Sequence, residues 1–238
     1  MAVVPIPAPV VIEAADARSS LLLDAIETYG CALVRQALPP ALLDAILCRA
    51  NAHFFRASYA QISAELAVLD AVPPLSLSST KLPETGTVAD IAAALAASPP
   101  WQALRALYPE ISLAAAQSRL RLARPADDPD AGFQQWARTT GQRNLGFTFW
   151  IPLIACGEEA PSLELVARRR ARLLPATEQV GVPIGDLAVD QRRALWIPDL
   201  AVGDLLIFDP FTLHRDAVRA EMRQTRLALE CRVLRRPT

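Results

Sequence analysis

Two residues in one stretch of this chain could do chemistry together. The run VGDLLIFDPFTLHRDAVRAEMRQTRLALECR, residues 202–232, sets His214 at the end of an apolar strand and Arg226 at the head of another, twelve positions later. An imidazole so placed can ligate a metal, or it can sit half-buried against a backbone carbonyl. Strand alternation sends Arg226, Ala228, Glu230 and Arg232 to one face and Leu227, Leu229 and Cys231 to the other. A guanidinium on such a face can grip a carboxylate through two parallel charge-assisted hydrogen bonds. The competing arrangement pairs Glu230 with Arg226 or Arg232 across the pleat and leaves no ligand.

Other polar groups carry weaker signals. His53 lies in a helical pattern and reads as a helix-surface or interhelical residue. The acidic loop holding Asp127, Asp128 and Asp130 has proline and glycine neighbours, which favour an exposed turn. Arg168, Arg169, Arg170 and Arg172 form a cluster that could bind phosphate, although a solvated charged loop after a strand is the commoner arrangement. A local His-x-Asp at His214-Arg215-Asp216 falls late in the strand order and is read as coincidence. Cys31, Cys48, Cys156 and Cys231 stand apart, mostly in apolar runs, which suits reduced core thiols.

These residues need a scaffold, and the chain punctuates one clearly. LLLDAIETY reads as a helix stopped by Gly30, CALVR as a strand, and the segment after Pro39-Pro40 as a second helix. A helix continues over residues 58–70, prolines at 73, 74 and 83 mark a long loop, and two short helices cover Thr87 to Ala97 and Trp101 to Tyr108. Beyond Pro109 the period changes to two: SRLRLAR, LGFTFWIPLIAC, SLELVA, DLLIFD and TRLALECRVL all have strand character, with a loop region over residues 174–194. Helices first and antiparallel strands later predict an α+β fold.

The wording of the later strands resembles the phytanoyl-CoA dioxygenase-like family. The resemblance is carried by Trp150-Ile151-Pro152-Leu153, the Cys156-Gly157 turn, Ala160-Pro161-Ser162-Leu163-Glu164-Leu165-Val166 and the run from Gly203 to Arg232. It implies a double-stranded β-helix, or jelly-roll, behind an N-terminal helical layer, and aliphatic hydroxylation with Fe(II) and 2-oxoglutarate. It also implies that His214 is the last metal ligand, that Arg226 clamps the far carboxylate of the oxoacid and that Thr148 contacts the same cofactor. The family's first two ligands form a His-x-Asp about sixteen residues before the tryptophan. Here Phe133-Gln134-Gln135-Trp136 stands in that place, so Gln134 and Trp136 occupy the ligand positions, and a one-residue shift would offer Gln135 and Ala137 instead. Iron of this kind needs two histidines and a carboxylate, and the chain has only His53 and His214. A non-catalytic member that binds a small carboxylate or apolar ligand, or serves as a scaffold, is therefore expected. The alternatives are an active oxygenase recruiting Asp127, Asp128, Asp130 or Asp216, and a non-oxidative enzyme reusing the barrel.

Composition limits the partners. With 238 residues the chain suits one domain, read as an extended arm over 1–19, a mainly helical part over 20–109 and barrel strands over 110–234. Its 24 basic and 25 acidic residues nearly cancel, which supplies no field for nucleic acid or an anionic membrane and leaves a small molecule as the expected partner. The opening residues lack a basic segment and are interrupted by Pro5, Pro7 and Pro9, unlike a secretory signal or a membrane span. A cytoplasmic location is expected.

Overall fold

The computed structural model describes residues 11–49, 79–81, 87–125, 132–134, 146–169 and 181–235. Helix α1 (Ser19–Tyr29) ends where Gly30 turns left-handed at φ 75°, with its N–H on Ile26 O, and strand β2 (Cys31–Arg35) follows at once. Glycine adopts that angle without the Cβ penalty other residues meet. Ahead of α1, β1 (Val11–Glu13) pairs parallel with β2. Helix α2 covers 40–49, and α3 (Thr87–Ala97) and α4 (Pro99–Leu107) complete the described helical layer.

The remaining strands are β3 (Ser79–Lys81), β4 (Ile111–Leu113), β5 (Arg119–Ala123), β6 (Phe147–Pro152), β7 (Ser162–Val166), β8 (Leu195–Trp196), β9 (Leu205–Phe208), β10 (His214–Ala217) and β11 (Arg226–Arg235). Among the described residues the larger sheet runs β1-β2-β9-β6-β11-β5-β3 with β4 also on β11, and a smaller one runs β10-β7-β8.

Period-two alternation gives β2, β6, β9 and β11 two different faces. Ala32, Val34, Phe149, Ile151, Leu205, Ile207, Leu227, Leu229 and Cys231 join a core with Leu22, Ile26, Leu95, Trp101 and Leu104 of the helices. The Trp101 ring meets Phe149 edge-on, centroids 5.8 Å apart. The intervening residues Cys31, Leu33, Trp150, Leu206, Phe208 and Ala228 pack instead against Leu163 and Leu165 of the smaller sheet. Both faces are covered, and each fully buried Leu, Ile or Phe contributes about 1.5–3 kcal/mol relative to exposure.

Two features depart from the sequence reading. The sheet does not wait for residue 110, because β1, β2 and β3 pair into it and β2 lies directly beside β9. The three-residue β3 falls in a stretch read as loop and pairs with the edge of β5; its own sequence, Ser-Thr-Lys, is too short to show a period. Within the expected 174–194 loop, the described part holds a 3₁₀ turn at Ile184–Asp186 and a short helix α5 (Val189–Arg193), and β8 begins just beyond it at Leu195.

Candidate functional site: an arginine-rich pocket between the sheets

His214 opens β10 rather than closing the preceding strand. Asp209-Pro210 ends β9, and the Asp209 carboxylate then accepts from Phe211 N at 2.8 Å and from the Thr212 hydroxyl at 2.9 Å, holding the intervening turn. That capping position is buried, which raises the Asp209 pKa above the ordinary carboxylate value. The turn delivers Thr212 O to within 3.0 Å of His214 Nδ1. A carbonyl only accepts, so Nδ1 carries the proton and Nε2 keeps its lone pair. The ring rests on Phe208, centroids 4.9 Å apart.

Burial lowers the His214 pKa from 6.5 to about 4, with the Arg232 and Arg121 charges acting in the same direction and the Thr212 carbonyl and Asp216 opposing them. Between about 4 and 6.5 the unfolded chain takes up a proton that the folded one refuses. Stability is therefore fully present above pH 6.5 and declines as pH falls toward 4. Replacing His214 by Asn should flatten that part of the pH profile in urea unfolding at pH 4.5, 5.5 and 7. Parallel profiles for the two proteins would show that the ring is not held neutral.

Opposite His214 stands Gln134. The two residues exchange both backbone hydrogen bonds, Gln134 N to His214 O at 2.8 Å and His214 N to Gln134 O at 3.0 Å. Directly opposed residues of an antiparallel pair project to the same face. Trp136, Gln135, Ala137, His53, Asp127, Asp128, Asp130, Arg170 and Arg172 lie outside the described residues.

The pairing of β10 with β7 sets His214 against Leu165, Arg215 against Glu164 and Asp216 against Leu163. Leu163 and Leu165 belong to the inter-sheet core, so His214 and Asp216 both face inward. Arg215 takes the outer side, where its Nε meets Glu164 Oε2 at 2.7 Å and its guanidinium covers the Phe133 ring at 4.8 Å. The late His-x-Asp read as coincidence thus contributes both its ends to the pocket.

From the larger sheet, β11 turns Arg226, Ala228, Glu230 and Arg232 to the same interior. Arg226 is fully enclosed: Nη1 donates to Ser162 O at 3.0 Å, Nη2 meets Asp216 Oδ1 at 2.8 Å, and the cation lies 5.3 Å from the Trp150 ring centroid. Thr148, across from Arg232 in β6, accepts a hydrogen bond from Arg232 Nη1. Arg232 also pairs with Glu230, whose other oxygen meets Arg121 Nε at 3.2 Å. Burial lowers the Arg232 pKa to about 9, helped by the neighbouring Arg121 and Arg119 charges.

Arg119 and Arg121 were not singled out from sequence. The signal was available, since SRLRLAR alternates and its leucines belong to the outer core. What sequence lacked was the register that sets Arg119 opposite Glu230 and Arg121 opposite Ala228. The Arg168–Asp190 pair and the exposed Arg169 match the solvated-loop reading of the arginine run. Cys31, Cys156 and Cys231 are buried free thiols, whereas Cys48 is exposed.

The partly open space is about 60 Å³ and is lined by Arg121, Gln134, Trp150, His214, Asp216 and Glu230, among others. Its donors suit a dication poorly. Gln134 offers a neutral amide, Asp216 is engaged by Arg226 and Glu230 by Arg121 and Arg232. Among the described residues no three His, Cys, Asp or Glu converge as a metal site. Among the described residues, Arg119, Arg121, Arg226 and Arg232 share this face with the carboxylates Asp216 and Glu230. Such a surplus repels a cation and attracts an anion.

Solved structures share this architecture at low sequence identity. EvdO2 from Micromonospora carbonacea var. aurantiaca, complexed with 2-oxoglutarate, aligns at TM-score 0.53 and 15% identity over 90% of each chain. The epimerase SnoN, in complex with Fe3+, alpha ketoglutarate and nogalamycin RO, aligns at 0.59 and 14% identity over 92% of this chain and 86% of its own. The chain shares the fold of EvdO2 and SnoN. AviO1 from Streptomyces viridochromogenes Tue57 aligns at 0.51 and 14% identity over 93% of this chain and 96% of its own. No protein-family model and no curated protein matches the sequence. Among the described residues no helix is long and apolar enough to cross a membrane.

Proposed function

We propose that this chain is an iron-independent relative of the 2-oxoglutarate oxygenases, whose inter-sheet pocket holds a small carboxylate without redox turnover. In this reading residues 1–238 form one domain, the two sheets close as a jelly-roll, and Gln134, which lies opposite His214, and Trp136 stand at lost ligand positions of the sequence. The Trp150–Leu153, Ala160–Val166 and Gly203–Arg232 wording supports kinship with the phytanoyl-CoA dioxygenase-like proteins. Buried free thiols at Cys31, Cys156 and Cys231 suit a reducing cytoplasm.

The observation that carries the proposal is the guanidinium surplus around His214. Arg226 and Arg232 are buried against Asp216 and Glu230, and the part-exposed Arg121 shares Glu230 with Arg232, so the positive potential beside these pairs favours an anion. The pocket volume of about 60 Å³ corresponds to roughly four to six water positions, the scale of acetate or pyruvate. The Gln134 amide N–H then donates to a ligand oxygen, while His214 Nε2, which can only accept, takes a hydrogen bond from water or a ligand hydroxyl rather than binding metal.

Anaerobic titration with Fe(II) and 2-oxoglutarate tests this directly. The weak visible charge-transfer band of a chelated 2-oxoacid should not develop, whereas calorimetry with pyruvate should give heat that Arg121→Gln weakens at least tenfold. A saturable charge-transfer band would sink the proposal in favour of an active oxygenase, with Asp127, Asp128 or Asp130 as the first candidates for the additional ligand.

A further inference from the structure

Arg226 has an unusual set of partners for a residue with 0% exposure. One nitrogen is anchored to the Ser162 carbonyl, a second meets a single oxygen of Asp216, and Nε has no acceptor among the described residues. A bidentate carboxylate occupies two neighbouring N–H groups of a guanidinium; Asp216 satisfies one. Asp216 is 31% exposed while the Arg226 side chain is 1% exposed, so solvent reaches the ion pair from the aspartate side. A carboxylate arriving from solution would have to displace Asp216 to reach the cation.

We propose that Asp216 is the specificity-determining residue of this pocket: an internal counter-ion that fills the carboxylate seat of Arg226 and so excludes diacids. The physical reason is the tether. Asp216 is held by the β10–β7 ladder and gives up no translational freedom on pairing, whereas a free carboxylate must. A ligand with one acidic group can use the Arg121 and Arg232 end alone; a diacid must place its second charge against Asp216 or stay out. The monoacid half of this statement rests on the anion-binding reading above, and the assignment of Asp216 to Arg226 does not.

Calorimetry on the full chain separates the two. Wild type should bind pyruvate and give no measurable heat with succinate or 2-oxoglutarate. Asp216→Ala should gain diacid binding by at least tenfold, and adding Arg226→Gln to that variant should remove the gain. Removing a counter-ion lowers stability, so a thermal-shift series with acetate is run beside it: acetate should raise the melting temperature of Asp216→Ala by more than it raises that of wild type, in which Asp216 already fills the Arg226 seat. If Asp216→Ala folds only when refolded with acetate, and not with chloride at equal ionic strength, the seat is supported. A folded Asp216→Ala protein with wild-type diacid affinity overturns the assignment, as does a gain that survives Arg226→Gln or a protein that acetate does not restore. Loss of pyruvate binding in wild type together with a diacid gain in Asp216→Ala would defeat the anion reading and leave Asp216 in place.

Discussion

Replacing Arg226 by methionine is expected to lower folding stability by about 2–4 kcal/mol, somewhat below the cost of breaking a fully buried ion pair because Asp216 can regain part of its hydration. Three contacts disappear together: the donor to Ser162 O, the ion pair with Asp216 and the cation over Trp150. Two of these cross from β11 to the smaller sheet, so the guanidinium ties the sheets together at this end. Urea unfolding at neutral pH measures the loss. A change below about 1 kcal/mol, the value of an ordinary hydrogen bond, would show that Arg226 is not such a tie. Pairing the change with Asp216→Leu should recover part of the loss, because an apolar pair leaves no uncompensated charge.

The second large effect is a gain. Gln134→His should place a second imidazole directly across the ladder from His214, since the two backbones already exchange both hydrogen bonds. Adding Trp136→Asp supplies, on the sequence register of the family, the carboxylate two positions on. The double variant should bind Fe(II) or Co(II) more tightly than wild type by on the order of a hundredfold or more, because three protein ligands replace one. The inward arginines work against the metal, so the affinity should stay below that of an iron site lacking them. Removal of the large Trp136 side chain can cost about 3–5 kcal/mol if it is buried, and unfolding is therefore measured on the same preparation. No gain in metal affinity by the folded double variant would mean that Gln134 and Trp136 are not the descendants of a ligand pair.

The sequence by itself determined a good deal of this protein. Gly30 stops α1 where its left-handed angle requires, and period two in TRLALECR separates Arg226, Ala228, Glu230 and Arg232 from the leucines as the core clusters show. Those are local properties: a helix stop depends on one residue's backbone freedom, and the faces of a strand follow from the alternation of Cβ atoms. Counting back from Trp150 also led to Gln134, which the structure sets opposite His214. Only the tertiary structure decided who meets whom inside. Arg226 pairs with Asp216 rather than Glu230, and Glu230 is shared by Arg121 and Arg232, because the β10–β7 and β5–β11 registers bring them together from distant parts of the chain. A face can be read from one strand, but a counter-ion requires the alignment of two. The shift of one residue in either ladder would turn the partner away from the pocket.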